Sequence, residues 1–180
     1  MEDKFIDSKN IVNMRKTKKL VMTGLFFAVA LVLSIIESSL PPVPVPVPGV
    51  KFGLSNIAVM YALFFLSKGQ AYTIAFLKAL FVFATRGLIA GILSLCGGIL
   101  SLSLMVLLML VFKDKVSYAV MSIAGAVAHN LGQFAAITFI YTGMNLLAYV
   151  PVLLVSGITA GIVTATLLRF ILPAFKKLVL

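Results

Sequence analysis

Three groups of polar side chains interrupt stretches that are otherwise apolar, and they are where this chain could do chemistry. Lys78 and Arg86 share the run that begins at Ala71. His129, Asn130 and Gln133 fall within Ala128-His129-Asn130-Leu131-Gly132-Gln133, and Glu37 and Lys51 flank a proline-rich segment. A charged side chain at the centre of a bilayer costs roughly 2.5–3.5 kcal/mol on insertion scales, so each such residue calls for a partner or a function. A guanidinium at Arg86 could hold an anionic group through two parallel hydrogen bonds. The alternative is an Arg86–Glu37 ion pair. Lys78 either snorkels toward the interface or fills a buried role.

His129 and Gln133 are four residues apart and share a helix face, with Asn130 adjacent. They read either as hydrogen bonds between helices, about 0.6 kcal/mol each on average in membrane interiors, or as the lining of a pocket. Flanking Gly125 and Gly132 favour the pocket. No second His, Cys or carboxylate shares that spacing, so no metal site is expected.

Several chemistries lack their residues. There is no glycine-rich phosphate loop ending in Lys-Ser/Thr, so ATP would have to be used by another subunit. Five acidic residues with no paired-Asp cluster leave nothing to hold magnesium on a diphosphate. No Ser-His-Asp or Cys-His arrangement is present. The chain is expected not to be an enzyme and to need no cofactor. Cys96, the single cysteine, reads as a small buried hydrophobe.

The elements that must position these residues are membrane helices. Of 180 residues 62% are hydrophobic and 11% charged, and the mean hydropathy is +1.16. A soluble domain carries about 25% charged residues, so lipid must cover much of this surface. The net charge of +10 does not point to nucleic acid, because the basic residues cluster beside apolar runs.

The polar stretch before Leu20 is long and no clean small-x-small cleavage site follows, so the first apolar run is expected to be a retained span over about 20–36. The second is expected from about Phe52 to Leu66, short and recessed. The stretch from Ala71 to Phe112 would run to roughly twice the hydrocarbon thickness as one helix, so it must fold back. Gly87 and Gly91 are the expected turn, giving spans of about 71–88 and 93–112. The fifth is expected over about 116–141 and the sixth over about 147–172, with Pro151 in its first turn and Pro173 at its end.

The expected fold is therefore an all-α integral membrane bundle of six transmembrane helices with both termini cytoplasmic. Residues 1–19 form a basic tail, 20–172 the membrane domain and 173–180 a second basic tail. This topology puts Lys4, Lys9, Arg15, Lys16, Lys18, Lys19, Lys68, Lys113, Lys115, Lys176 and Lys177 in the cytoplasm and leaves Lys51 outside. Between the first two spans, alternating Pro42, Pro44, Pro46 and Pro48 remove backbone donors and demand an extended segment at the interface or against protein. Gly24-x-x-x-Ala28, Gly97-Gly98 and Gly157-x-x-x-Gly161 are small faces for close helix approach, and the first could equally receive a partner subunit.

Two stretches carry a resemblance, Val47-Pro48-Gly49-Val50-Lys51-Phe52-Gly53-Leu54-Ser55-Asn56-Ile57 and Gly125 to Gln133. Together with Arg86, Ser94 to Met105 and Tyr149 to Leu153, they resemble the Gx transporter family, also known as heptaprenyl diphosphate synthase component I. The likeness spans about residues 20–172. That family is similar to the substrate-binding S components of energy-coupling-factor transporters, six-helix proteins that bind a vitamin-like solute near the outer face and work with a transmembrane T subunit and two ATPases.

The resemblance implies that the loop with Pro44, Pro46, Pro48 and Gly49 gates the site. It implies that Gly24 and Ala28 form the face that meets the T subunit. The S-component pattern there is two alanines four apart, so Gly24 is a departure. Glu37, Lys51, Asn56, Arg86, His129, Asn130 and Gln133 are the expected substrate-binding residues. The function expected is solute capture at the bacterial cytoplasmic membrane, for a small vitamin-like or anionic solute such as a flavin, a quinone or a prenyl precursor. The alternative is a non-catalytic membrane accessory of heptaprenyl diphosphate synthesis, the quinone side chain. A third reading is a structural subunit of a redox complex handling flavin or quinone.

Overall fold

Long apolar runs broken by Gly, Pro and Lys-rich punctuation fold as six helices, and the computed structural model is all-helical among the residues it describes. Those are residues 16–39, 53–112, 116–142, 148 and 150–179. The helices are α1 (Lys16–Ser39), α2 (Leu54–Tyr61, continued by a π-helical turn over Ala62–Leu66), α3 (Lys68–Arg86), α4 (Leu88–Phe112), α5 (Tyr118–Ile140) and α6 (Val150–Val179). Four of them contain stretches long and apolar enough to cross a membrane: Thr17–Ser39, Leu88–Phe112, Tyr118–Ile140 and Val150–Ile171. Their outer faces carry large exposed hydrophobics such as Leu110, Phe139 and Phe170. Water would penalise that surface, whereas lipid does not.

The two remaining helices differ from those four for different reasons. α3 has 19 residues but carries Lys68, Lys78 and Arg86. α2 with its π turn is apolar but spans only Leu54–Leu66, about 20 Å at the helical rise and short of a hydrocarbon core of about 30 Å. It compensates by being central. From Ile57 to Leu66 every residue is buried. The Ser67 amide closes the π turn on the Ala62 carbonyl at 3.1 Å.

Packing follows chain order. α3 lies on α4, α4 on α5 and α5 on α6, while α1 packs on α2 and α3, and α2 also touches α6. At one end an aromatic cluster fills the core, with Phe26 stacked on Tyr61 at 4.5 Å and Tyr61 beside Phe65 at 4.7 Å between ring centres. Gln70 ties two helices there, donating to the Lys19 carbonyl at 3.0 Å and to Thr23 Oγ1 at 2.9 Å. Ser67 caps α3 by accepting from the Gln70 amide at 3.2 Å.

Two expected boundaries move. The α3–α4 turn is Gly87 alone, with φ 89° and ψ 175°, a region in which a side chain would be strained. Gly91 lies inside α4, where a Cβ would come within 2.6 Å of Phe83 Cβ, so its role is close packing of the hairpin. Pro173 does not end the last helix, which runs on to Val179. Proline removes one backbone hydrogen bond, a cost a helix can absorb where water or a neighbour meets the freed carbonyl.

Of the small faces, Gly157 and Gly161 bring α6 onto the backbone of α5 at Val127 and Ile123. Gly97 meets His129, with Gly132 facing Cys96 across the same α4–α5 interface. Gly24 and Ala28 are exposed, and nothing lies within 4 Å of a Cβ built on Gly24.

Candidate functional site

The polar residues that the sequence scatters over five helices surround one cavity of about 110 Å³. α1 contributes Ser34 and Glu37, the start of α2 contributes Gly53, Ser55 and Asn56, and α3 contributes Lys78, Val82 and Arg86. α4 adds Ala90, Leu93 and Ser94, and α5 adds His129, Asn130 and Gln133. The helix ends at Ser39, Leu54, Arg86 and Leu88 place it at the opposite end of the bundle from Gln70 and the start of α3.

Glu37 is 8% exposed, in the last turn of α1. Its Oε1 accepts from the Gly53 amide and, at 3.4 Å, from the Leu54 amide. Gly53 is the N-cap of α2, with φ 74° and no side chain to do the capping. A carboxylate from another helix therefore satisfies donors that the helix start leaves open, and its charge complements the helix dipole.

Lys78 is 5% exposed, and its Nζ donates to Asn56 Oδ1 at 2.6 Å and Ser55 Oγ at 3.2 Å. A snorkelling lysine would reach an interface. This one turns inward to the first turn of α2, which settles the choice in favour of the buried role. Arg86 ends α3, and its Nη2 donates to the Ser34 carbonyl at 3.1 Å. The expected alternative of a direct Arg86–Glu37 pair is not what holds either group, since each is engaged by backbone. The rest of the Arg86 fork is left over for the cavity.

The α5 residues divide. Asn130 is buried and donates to the Leu153 carbonyl at 3.0 Å and Ser156 Oγ at 3.2 Å, so its amide nitrogen joins α5 to α6. His129 lies with Nδ1 buried against the Gly97 backbone. Gln133 is half-buried and its side chain makes no hydrogen bond among the described residues. Both readings of this motif thus hold, residue by residue. Asn130 works as glue, and Gln133 offers its amide to the cavity.

Of the expected binding residues, the cavity gathers Glu37, Asn56, Arg86, His129, Asn130 and Gln133. Lys51 and the expected gate, Pro44, Pro46, Pro48 and Gly49, lie outside the described residues. Missed as lining were Lys78, Ser34, Ser55 and Ser94. Lys78, Val82 and Arg86 recur every fourth residue, a spacing that puts all three on one helix face and could have placed Lys78 beside Arg86. The serines carried no such mark. Among the described residues no three His, Cys, Asp or Glu side chains converge. The cavity holds one carboxylate and one imidazole, fewer than the three or four ligands of a protein metal site.

Fold and cavity together define a helical membrane protein with a pocket between its helices that carries charged and polar side chains. The chain matches the family model of heptaprenyl diphosphate synthase component I over residues 26–171 and belongs to that family. No curated protein and no solved structure matches it.

Proposed function

We propose that the chain is the solute-binding membrane subunit of a transporter of the energy-coupling-factor kind, capturing a small anionic or vitamin-like solute in the cavity between Glu37, Lys78, Arg86 and Gln133. The observation that carries this reading is convergence. Costly polar and charged side chains from five helices line a single cavity, which is how proteins of this kind build ligand sites. In this reading all six helices span or enter the bilayer with both termini in the cytoplasm. The support is the charge pattern. Lys18, Lys19 and Lys68 lie at the end opposite the cavity, so the positive-inside rule turns the cavity outward. The Pro-rich loop from Leu40 to Val50 would act as the gate and Lys51 would help to bind the solute, while the exposed Gly24–Ala28 face would receive a T subunit driven by separate ATPases.

The family's name favours a second reading, a non-catalytic membrane partner of another prenyl diphosphate synthase component. One experiment separates the two. Growth medium is compared by untargeted mass spectrometry for cells with the chain, cells lacking it, and cells carrying Arg86→Ala. Solute capture predicts one compound that is depleted only when the intact chain is present. Unchanged medium together with altered prenyl chain length on deletion would replace this reading with the second.

A further inference from the structure

We propose that the cavity recognises a compact oxyanion, a carboxylate or phosphate group, and that Lys78 is its central ligand with Arg86 closing from the rim. The proposal rests on the solute-capture reading and narrows its substrate class.

Charge is the first argument. Among the described residues two cations, Lys78 and Arg86, face the cavity against one carboxylate. Oε1 of that carboxylate, Glu37, is already engaged by the Gly53 and Leu54 amides. Lys78 and Glu37 are both buried, so the surplus positive charge among the described residues sits on the exposed Arg86 at the cavity rim, where it can draw in an anion.

Donor count is the second. An ammonium has three donors. Lys78 uses two, on Ser55 and Asn56, and the third remains for the cavity it lines. Arg86 spends Nη2 on the Ser34 carbonyl and keeps further N–H groups in the planar fork that suits a carboxylate or phosphate.

Size and lining are the third. At about 110 Å³ the cavity is below the roughly 300–1,000 Å³ that drug-sized ligands occupy. Among the described residues no Phe, Tyr or Trp lines it, and its one aromatic group is the His129 imidazole. A flavin or quinone ring would find no Phe, Tyr or Trp there to stack on, only the imidazole, whereas an oxyanion would find the ammonium, the guanidinium and the Gln133 amide. Val82 and Leu93 form an apolar wall for a short carbon skeleton.

The oxyanion could be free in solution or the headgroup of a phospholipid, and the test separates these. Full-length protein in phosphatidylcholine nanodiscs is titrated with inorganic phosphate and with acetate, and thermal unfolding is followed by helical circular dichroism. A parallel sample contains phosphatidic acid and no added anion. A ligand that binds only the folded state raises the unfolding midpoint in a saturable way. The expected result is saturable stabilisation of the wild type, weakened roughly 10- to 100-fold by Lys78→Met and by Arg86→Gln, since each removes a charge-assisted hydrogen bond. Stabilisation by phosphatidic acid alone, lost in the same variants, assigns the oxyanion to a lipid headgroup. If Lys78→Met does not fold, Arg86→Gln decides, and a response equal to the wild type overturns the proposal. A wild type unmoved by all three probes also overturns it. In that case a neutral or aromatic compound found bound by mass spectrometry leaves solute capture standing, and the absence of any bound compound removes both.

Discussion

Lys78 Nζ donates to Asn56 Oδ1 at 2.6 Å, which fixes the middle of α3 to the first turn of α2 inside the bundle. The contact couples a buried charge to the element that begins beside Glu37, so changes at one residue are felt at the other. Asn56→Leu leaves the ammonium one acceptor short and is expected to destabilise by about 1–3 kcal/mol. Combined with Lys78→Met it should cost less than the sum of the two single changes, because the second change removes the charge the first leaves unpaired. Reversible unfolding in mixed micelles of all four proteins measures the coupling. Additive effects would show that the contact is not energetically real.

Glu37 offers a separate handle. Its carboxylate serves the Gly53 and Leu54 amides across a sequence separation of 16 and 17 residues. Glu37→Gln keeps one acceptor oxygen but loses the charge at the helix start, so a loss of about 1 kcal/mol is expected. Glu37→Ala, which leaves the amides bare, is expected to cost about 1–3 kcal/mol. The same unfolding assay orders the variants, and equal stability of the two would remove the capping role.

The α5 motif predicts a division of labour. Asn130→Leu breaks the donation to Leu153 and Ser156 and should lower stability by about 1–2 kcal/mol. Gln133→Ala removes a side chain with no hydrogen bond among the described residues and should stay within about 0.5 kcal/mol of the wild type while weakening solute binding. The unfolding assay and a binding titration run side by side check both halves. The opposite assignment, Gln133 structural and Asn130 silent, would invert the description of the cavity.

Gly161 tests the helix packing. A Cβ there would stand 2.5 Å from Ile123 Cα, so Gly161→Ala must push α6 off α5. The expected penalty is about 1–3 kcal/mol. An unchanged unfolding midpoint would mean that the two helices pack less closely than described.

Much of this architecture was legible in the residues. Hydropathy with lysine and glycine punctuation located all six helices, because in lipid a helix must satisfy its own backbone and its length is set by the bilayer. Cost of burial picked out much of the cavity lining: Glu37, Arg86 and the His129–Gln133 motif stand out simply because they are polar where polarity is expensive. What was not legible is pairing. The sequence says that Lys78 is costly but not which way a long flexible side chain turns, and that is decided by Asn56 arriving from another helix. Gly91 was read as part of a turn because glycine serves tight turns and close packing alike, and only Phe83 across the hairpin distinguishes them. Pro173 was read as a helix end because proline usually is one. The serines of the cavity were invisible, since in membrane helices a serine can satisfy its hydroxyl on its own helix, as Ser38 does on the Ser34 carbonyl.

The central claim is that the cavity between Lys78, Arg86 and Gln133 holds a solute. Native mass spectrometry of the full-length protein released from nanodiscs tests it most directly, comparing the wild type with an Arg86→Ala/Gln133→Ala variant. The account predicts a wild-type species carrying one discrete small-molecule mass, with occupancy falling at least about tenfold in the variant, as loss of a charge-assisted contact requires. A wild type that carries no such mass, or a bound mass retained equally by the variant, would contradict it.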